Sequence, residues 1–234
     1  MVQTSKETEM KMRKHLVTVV TLLCLSFGLL EAKAQSGGVP KFELGAQFTS
    51  ITKPDFNNGA TEPGFGGRFT FNLNRSVALE AVGNFFPHKC GFCGSGAGGG
   101  DNSGNITQGL FGVKAGKRFQ KLGIFGKARP GVVSFSHGDS KYVATGTGTS
   151  FPFEFRHNRL TNFAVDLGGV LEFYPSKRIV TRLEAGDTLI HYGQRQSSFL
   201  FFDPTTGVPV LLPFTTRSET RHNFQFVAGV GWRF

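Results

Sequence analysis

The residues whose types and spacing could do chemistry fall in two groups. The first is Cys90-Gly91-Phe92-Cys93, with His88 two residues upstream. Two thiols at this spacing can share a metal ion or cycle with a disulfide. A zinc site needs four ligands and only His88 lies nearby, while a thioredoxin-type pair would open a helix in a βαβ context that this stretch lacks. A structural disulfide between Cys90 and Cys93, closing a small loop in an oxidising compartment, is the first reading. Free or redox-active thiols and a metal remain the alternatives, and neither a resident metal nor a cofactor is expected. The second group consists of ten charged residues of both signs, Glu43, Arg68, Glu80, Lys114, Lys127, Asp166, Glu172, Arg182, Glu184 and Arg233. Each sits within an otherwise apolar stretch, so what holds it decides what it can do.

The elements that carry these charges have a period of two. From Phe224 to the C-terminus, Phe224, Phe226, Ala228, Val230, Trp232 and Phe234 share one face, and Gln225, Gly229, Gly231 and Arg233 share the other. In 42–51, Phe42, Leu44, Ala46 and Phe48 oppose Glu43, Gly45, Gln47 and Thr49. Similar alternation runs through 65–73, 77–86, 161–174 and 179–190, and less cleanly through 106–119 and 123–135, where Lys117 and Pro130 interrupt it. Strict alternation over such lengths marks strands with two different faces. The spacing predicts eight strands. The connections alternate between short (74–76, 120–122 and 175–178) and long (52–63, 87–105, 136–160 and 191–221), the layout of a membrane barrel with short inner turns and long outer loops. If the large apolar faces meet lipid, the ten charges line the lumen. Eight strands leave an interior that side chains fill, so opposite charges should pair there.

Composition agrees. Phe occurs 26 times and Gly 32 times in 234 residues, a bias toward sheet. Of the net charge of +10, residues 1–34 carry +2, leaving +8 that is scattered singly and at turns. A nucleic-acid groove would gather its bases among aromatics, so no nucleic-acid partner is expected. The basic run Lys11-Met12-Arg13-Lys14-His15 precedes an uncharged stretch from Leu16 to Leu30 and then Ala32-Lys33-Ala34. That order is a signal peptide, with cleavage expected after Ala34 and the barrel domain spanning 35–234. Met10 and Met12 are alternative starts. Leu23 stands before Cys24 where a lipoprotein signal needs a small residue, so Cys24 is read as signal core.

The terminal pattern of Phe224, Phe226, Val230, Trp232 and Phe234 resembles the closing strand of outer-membrane barrels. The chain from about residue 40 onward resembles the small-barrel family of OmpA-like transmembrane domains and OmpX-type proteins. The resemblance implies an eight-stranded antiparallel up-and-down transmembrane β-barrel in the bacterial outer membrane, with outer-membrane lipid, lipopolysaccharide and the barrel assembly machinery as partners. It also implies that Phe234 is part of the assembly signal. Larger members append a peptidoglycan-binding domain, which is not expected after Phe234. His191-Tyr192-Gly193 faintly resembles the His-x-Ser of lipid A deacylase barrels, with Gly193 in place of the nucleophile. An imidazole with no hydroxyl to activate argues against an enzyme. In 199–214 two apolar stretches flank Asp203-Pro204-Thr205-Thr206-Gly207, which predicts a hairpin projecting beyond the bilayer. Function is therefore expected to be structural, surface-display or adhesive toward an extracellular ligand or surface. A narrow pore is the alternative.

Overall fold

The structure, a computed structural model, describes residues 39–52, 61–87, 104–144, 153–205 and 207–234, with side chains over 137–157 and at Phe199 excepted. The expected signal segment 1–34 and the Cys90/Cys93 pair lie outside the described residues. Ten strands follow in chain order: β1 (Phe42–Thr52), β2 (Thr61–Asn72), β3 (Val77–Phe86), β4 (Ile106–Arg118), β5 (Leu122–Ala144), β6 (Phe153–Phe173), β7 (Ile179–Tyr192), β8 (Arg195–Phe202), β9 (Pro209–Thr216) and β10 (Glu219–Arg233). Eight of them close an antiparallel barrel in the order β1-β10-β7-β6-β5-β4-β3-β2, and β8 and β9 form a separate hairpin.

Register fixes the shape. Following paired residues from Gly45 through Arg68, Val82, Leu110, Gly131, Ala164 and Ile190 arrives at Arg221 on β10. Gly45 itself pairs with Gly231, ten residues farther along β10. A stagger of ten over eight strands, with a rise of about 3.3 Å and a spacing of about 4.8 Å, tilts the strands by about 40°. Eleven residues at that tilt climb about 28 Å, enough to cross an apolar band of about 25 Å. The seam is closed at the C-terminus, where Phe42 and Phe234 exchange backbone hydrogen bonds of 3.0 and 2.9 Å.

The tight turns and both ends of the barrel sheet share one rim. Asn74 shapes the first turn by accepting from the Ser76 and Val77 amides at 2.7 and 2.8 Å, and Ser176 does the same for Ile179 at 3.1 Å. Several strands run farther than their alternation indicated. β5 extends to Ala144 and pairs beyond a register shift between Phe135 and Asp139 with the early part of β6, so 136–160 is not all loop. β2 begins at Thr61 and β10 at Glu219. At Pro130 the β4–β5 ladder is interrupted between the Leu110–Gly131 and Val113–Ala128 pairs, while the β5–β6 ladder runs through. A residue without an N–H can serve one neighbouring strand, not both.

The sides are inverted relative to a water-soluble protein. Phe65 and Phe111 are each 60% exposed on the outer face, while Glu80, Lys114 and Glu172 are wholly buried within. Such a surface is at its lowest free energy in hydrocarbon. Phe111 lies near the middle of β4, so Phe111→Arg is expected to destabilise the folded barrel in lipid by about 2–4 kcal/mol. Denaturant titration in liposomes checks this.

Candidate functional site

The lumen is stacked in four levels from the short-turn rim outward. At the rim, Glu43 accepts from Asn72 Nδ2 at 2.9 Å and Arg233 Nε at 3.2 Å, and the Arg233 guanidinium lies 4.6 Å above the Tyr174 ring. Tyr174, in the turn after β6, donates to Glu172 at 2.7 Å and accepts from Arg118 Nε at 2.8 Å. Burial and the Glu172 carboxylate push its phenol above the ordinary tyrosine value, which keeps it a donor.

The second level is an interleaved lattice of charge. Glu80 is its hub, held by both terminal nitrogens of Arg182 (Nη2 at 2.8 Å), by Arg129 Nη1 at 3.3 Å and by the Thr70 hydroxyl at 3.3 Å. Lys114 Nζ approaches Glu80 to 3.5 Å and is bonded to Glu172. Glu184 meets Arg129 at 2.6 Å, Arg182 Nε at 2.7 Å and Lys127 at 2.8 Å. Asp166 takes Arg129 through Nε and Nη2, at 2.9 and 2.6 Å, and Lys127 at 3.0 Å. Each carboxylate touches at least two cations, so no carboxylate of this level is buried without an opposite charge. Arg68 is held least well, with Glu184 at 3.6 Å and a 3.3 Å bond to Gln47. Arg68→Met, which keeps the length of the side chain, is therefore expected to shift stability by less than about 1.5 kcal/mol in the same liposome titration.

Amides and hydroxyls form the third level. Gln47 donates to Asn84 at 2.8 Å, and Asn84 donates to Gln108 at 2.6 Å. Gln108 and Gln225 exchange bonds of 3.2 and 3.1 Å, and Gln225 also bonds Thr49 and Thr188. The fourth level, at the end with the long connections, is dry: Ile51, Phe86, Ile106, Val133, Ala164 and Ile190 meet across the barrel, with Phe135 and Tyr192 against them. Phe86 fits because residue 64 is glycine; a Cβ there would stand 2.5 Å from its ring.

All ten charges assigned to the interior by alternation, Glu43, Arg68, Glu80, Lys114, Lys127, Asp166, Glu172, Arg182, Glu184 and Arg233, face inward and are at most 7% exposed. Sequence reasoning missed Arg129, which bonds three of the four central carboxylates. Its signal was available, two residues beyond Lys127 on the same strand face, but Pro130 obscured the pattern. Arg118 and Tyr174 were missed as well, since they sit where strands give way to turns. Phe224, Phe226, Val230, Trp232 and Phe234 face outward, 40–61% exposed. Asp187 also faces outward among apolar neighbours, and its carboxylate lies 2.5 Å from His222 Nδ1 and accepts from the Asn223 amide at 2.9 Å. His191 Nδ1 lies 3.1 Å from the Thr220 hydroxyl on the outer face.

No protein-family model matches the sequence, and no curated protein matches it. Among solved structures, the chain is similar to Neisserial surface protein A, at 11% identity over 84% of this chain and 99% of that one, with a TM-score of 0.49. It is also similar to Ail, the attachment invasion locus protein of Yersinia pestis, at 14% identity over 82% and 96%, TM-score 0.41. The N-terminal β-barrel domain of Pseudomonas aeruginosa OprF is similar at 12% identity over 81% and 97%, TM-score 0.39. On its own geometry, a closed eight-stranded barrel with charge inside and phenylalanine outside, the chain is a small β-barrel built to span a membrane.

Proposed function

We propose that this protein is a non-enzymatic outer-membrane scaffold whose barrel serves as a rigid, sealed base and whose outer end acts in surface display and adhesion. The observation that carries this reading is the β8–β9 hairpin, which leaves the barrel between β7 and β10 and exposes Phe201, Val210, Leu212 and Phe214 beyond it. Exposed apolar area of this kind marks contact with a partner. Lipopolysaccharide surrounding the outer rim and the assembly machinery reading Phe234 are the further partners proposed. The ion-paired lumen beneath an apolar cap weighs against the narrow pore. Ions would have to displace several bonded pairs and then cross a dry constriction.

Deletion of 199–214 tests the reading. Cells displaying the shortened protein are expected to lose adhesion while the barrel keeps its heat-modifiable migration on gels. Unchanged adhesion with an intact barrel would retire the adhesive role.

A further inference from the structure

We infer that the β8–β9 hairpin docks on a phospholipid bilayer apposed to the bacterial surface, a step that rests on reading the hairpin as a displayed element. Register places Phe201 opposite Val210 and Phe214 opposite Ser197, and Leu212 shares their face. Phe201, Val210, Leu212 and Phe214 on that face are 38–45% exposed; on the opposite face Leu200 and Leu211 are less so, and Phe202 near the turn is the exposed apolar residue there at 53%.

Three features select a lipid surface over other occupants. From Gln196 to Thr216 the only charged residue is Asp203. That carboxylate is engaged in the turn, accepting the Thr205 amide at 2.8 Å, while the Asp203 carbonyl accepts from Gly207, whose φ of 67° suits a glycine. Between Gln196 and Thr216 a partner recognised through ion pairs therefore finds only this engaged carboxylate, whereas acyl chains require only apolar area. The outer edge of β9 is blunted against a second copy. Counting from the bonded pair Asp203–Val208, Pro209 and Pro213 occupy positions whose backbone nitrogens point away from β8, and proline offers no donor there. Strand addition along that edge would lack two of its bonds. Finally, Arg195 and Arg217 flank the base of the hairpin, and Arg195 lies on the apolar face by register with Thr216. Cations bordering an apolar face match the phosphates that border acyl chains.

The test uses the full chain in lipid nanodiscs, floated with vesicles of phosphatidylcholine with or without phosphatidylglycerol. The wild type is expected to float with both, more strongly with the anionic lipid. Leu212→Asp/Phe214→Asp is expected to bind at least about tenfold less, since two large apolar side chains lose their burial. Leu212→Ser/Phe214→Ser removes apolar area without adding charge, and should follow the same order if the aspartates unfold the hairpin. No flotation of the wild type, or flotation of both double variants as strong as that of the wild type, overturns the inference. Flotation that needs phosphatidylglycerol and ignores both variants also overturns it, because the basic residues alone would then suffice. If deletion of 199–214 abolishes cell adhesion while nanodiscs ignore vesicles, the bilayer is the wrong partner and the display role stands. If neither measurement depends on the hairpin, both fall.

Discussion

Glu80→Ala is expected to be the most damaging single change among the lumen's charged residues, destabilising the barrel by about 3–5 kcal/mol. The reason is the number of cations this carboxylate serves. Arg182, Arg129 and Lys114 all reach it, and all three are buried to 1% exposure or less. Removing the carboxylate leaves an excess of positive charge where no solvent can screen it. The cavity is lined by guanidinium and ammonium groups, so it cannot relax by apolar collapse. Glu80→Gln should fall between wild type and alanine, because it retains an acceptor but not the charge. Urea titration in liposomes, read by heat-modifiable migration, measures both. A shift below about 1 kcal/mol for Glu80→Ala would mean that the lattice is not organised around this residue.

Phe86→Ala is expected to cost about as much, 3–5 kcal/mol, by a different route. Phe86 is fully buried among Ile51, Ile106 and Ile190, and Gly64 beside it has no side chain to fill the space. Strand backbones locked by ladders on both sides cannot close a ring-sized void, so the cavity term persists. The change also removes the largest member of the dry level. The same liposome titration gives the stability. A loss below about 1.5 kcal/mol would show that the cap is loosely packed.

Most of the architecture was legible in the sequence because one simple rule governs it. A strand in a small barrel has one face to lipid and one to a filled lumen, so parity along the chain places Glu43, Glu80 and Arg182 without any further information. The same rule fails wherever residue type is trusted above parity. Ile51 and Phe86 share the inward parity of Glu43 and Glu80, and they build the apolar cap that a polar-inside expectation overlooks. Asp187 shares the outward parity of Leu183 and sits outside, where the His222 ring and the Asn223 amide hydrogen-bond its carboxylate. Arg129 was hidden by a proline that breaks one ladder while leaving the side-chain alternation intact. Pairing partners, as opposed to inward residues, were not legible at all. Which carboxylate meets which cation depends on the ten-residue stagger, and that emerges only when eight registers are closed into a ring.

The extended β5–β6 arms and the β8–β9 hairpin show a related limit. Beyond the bilayer, strands have no apolar surroundings to enforce alternation, so turn chemistry carries the signal instead. Asp203-Pro204 through Gly207 supplied that signal for the hairpin, and the Gly-Thr repeats of 145–149 supplied a less regular one between β5 and β6.

The central claim, that the barrel is sealed by its ion-paired lumen and apolar cap, is tested most directly by single-channel recording of the wild-type protein in planar bilayers. The account predicts a flat trace at background. Discrete unitary openings by correctly folded wild-type protein would contradict it.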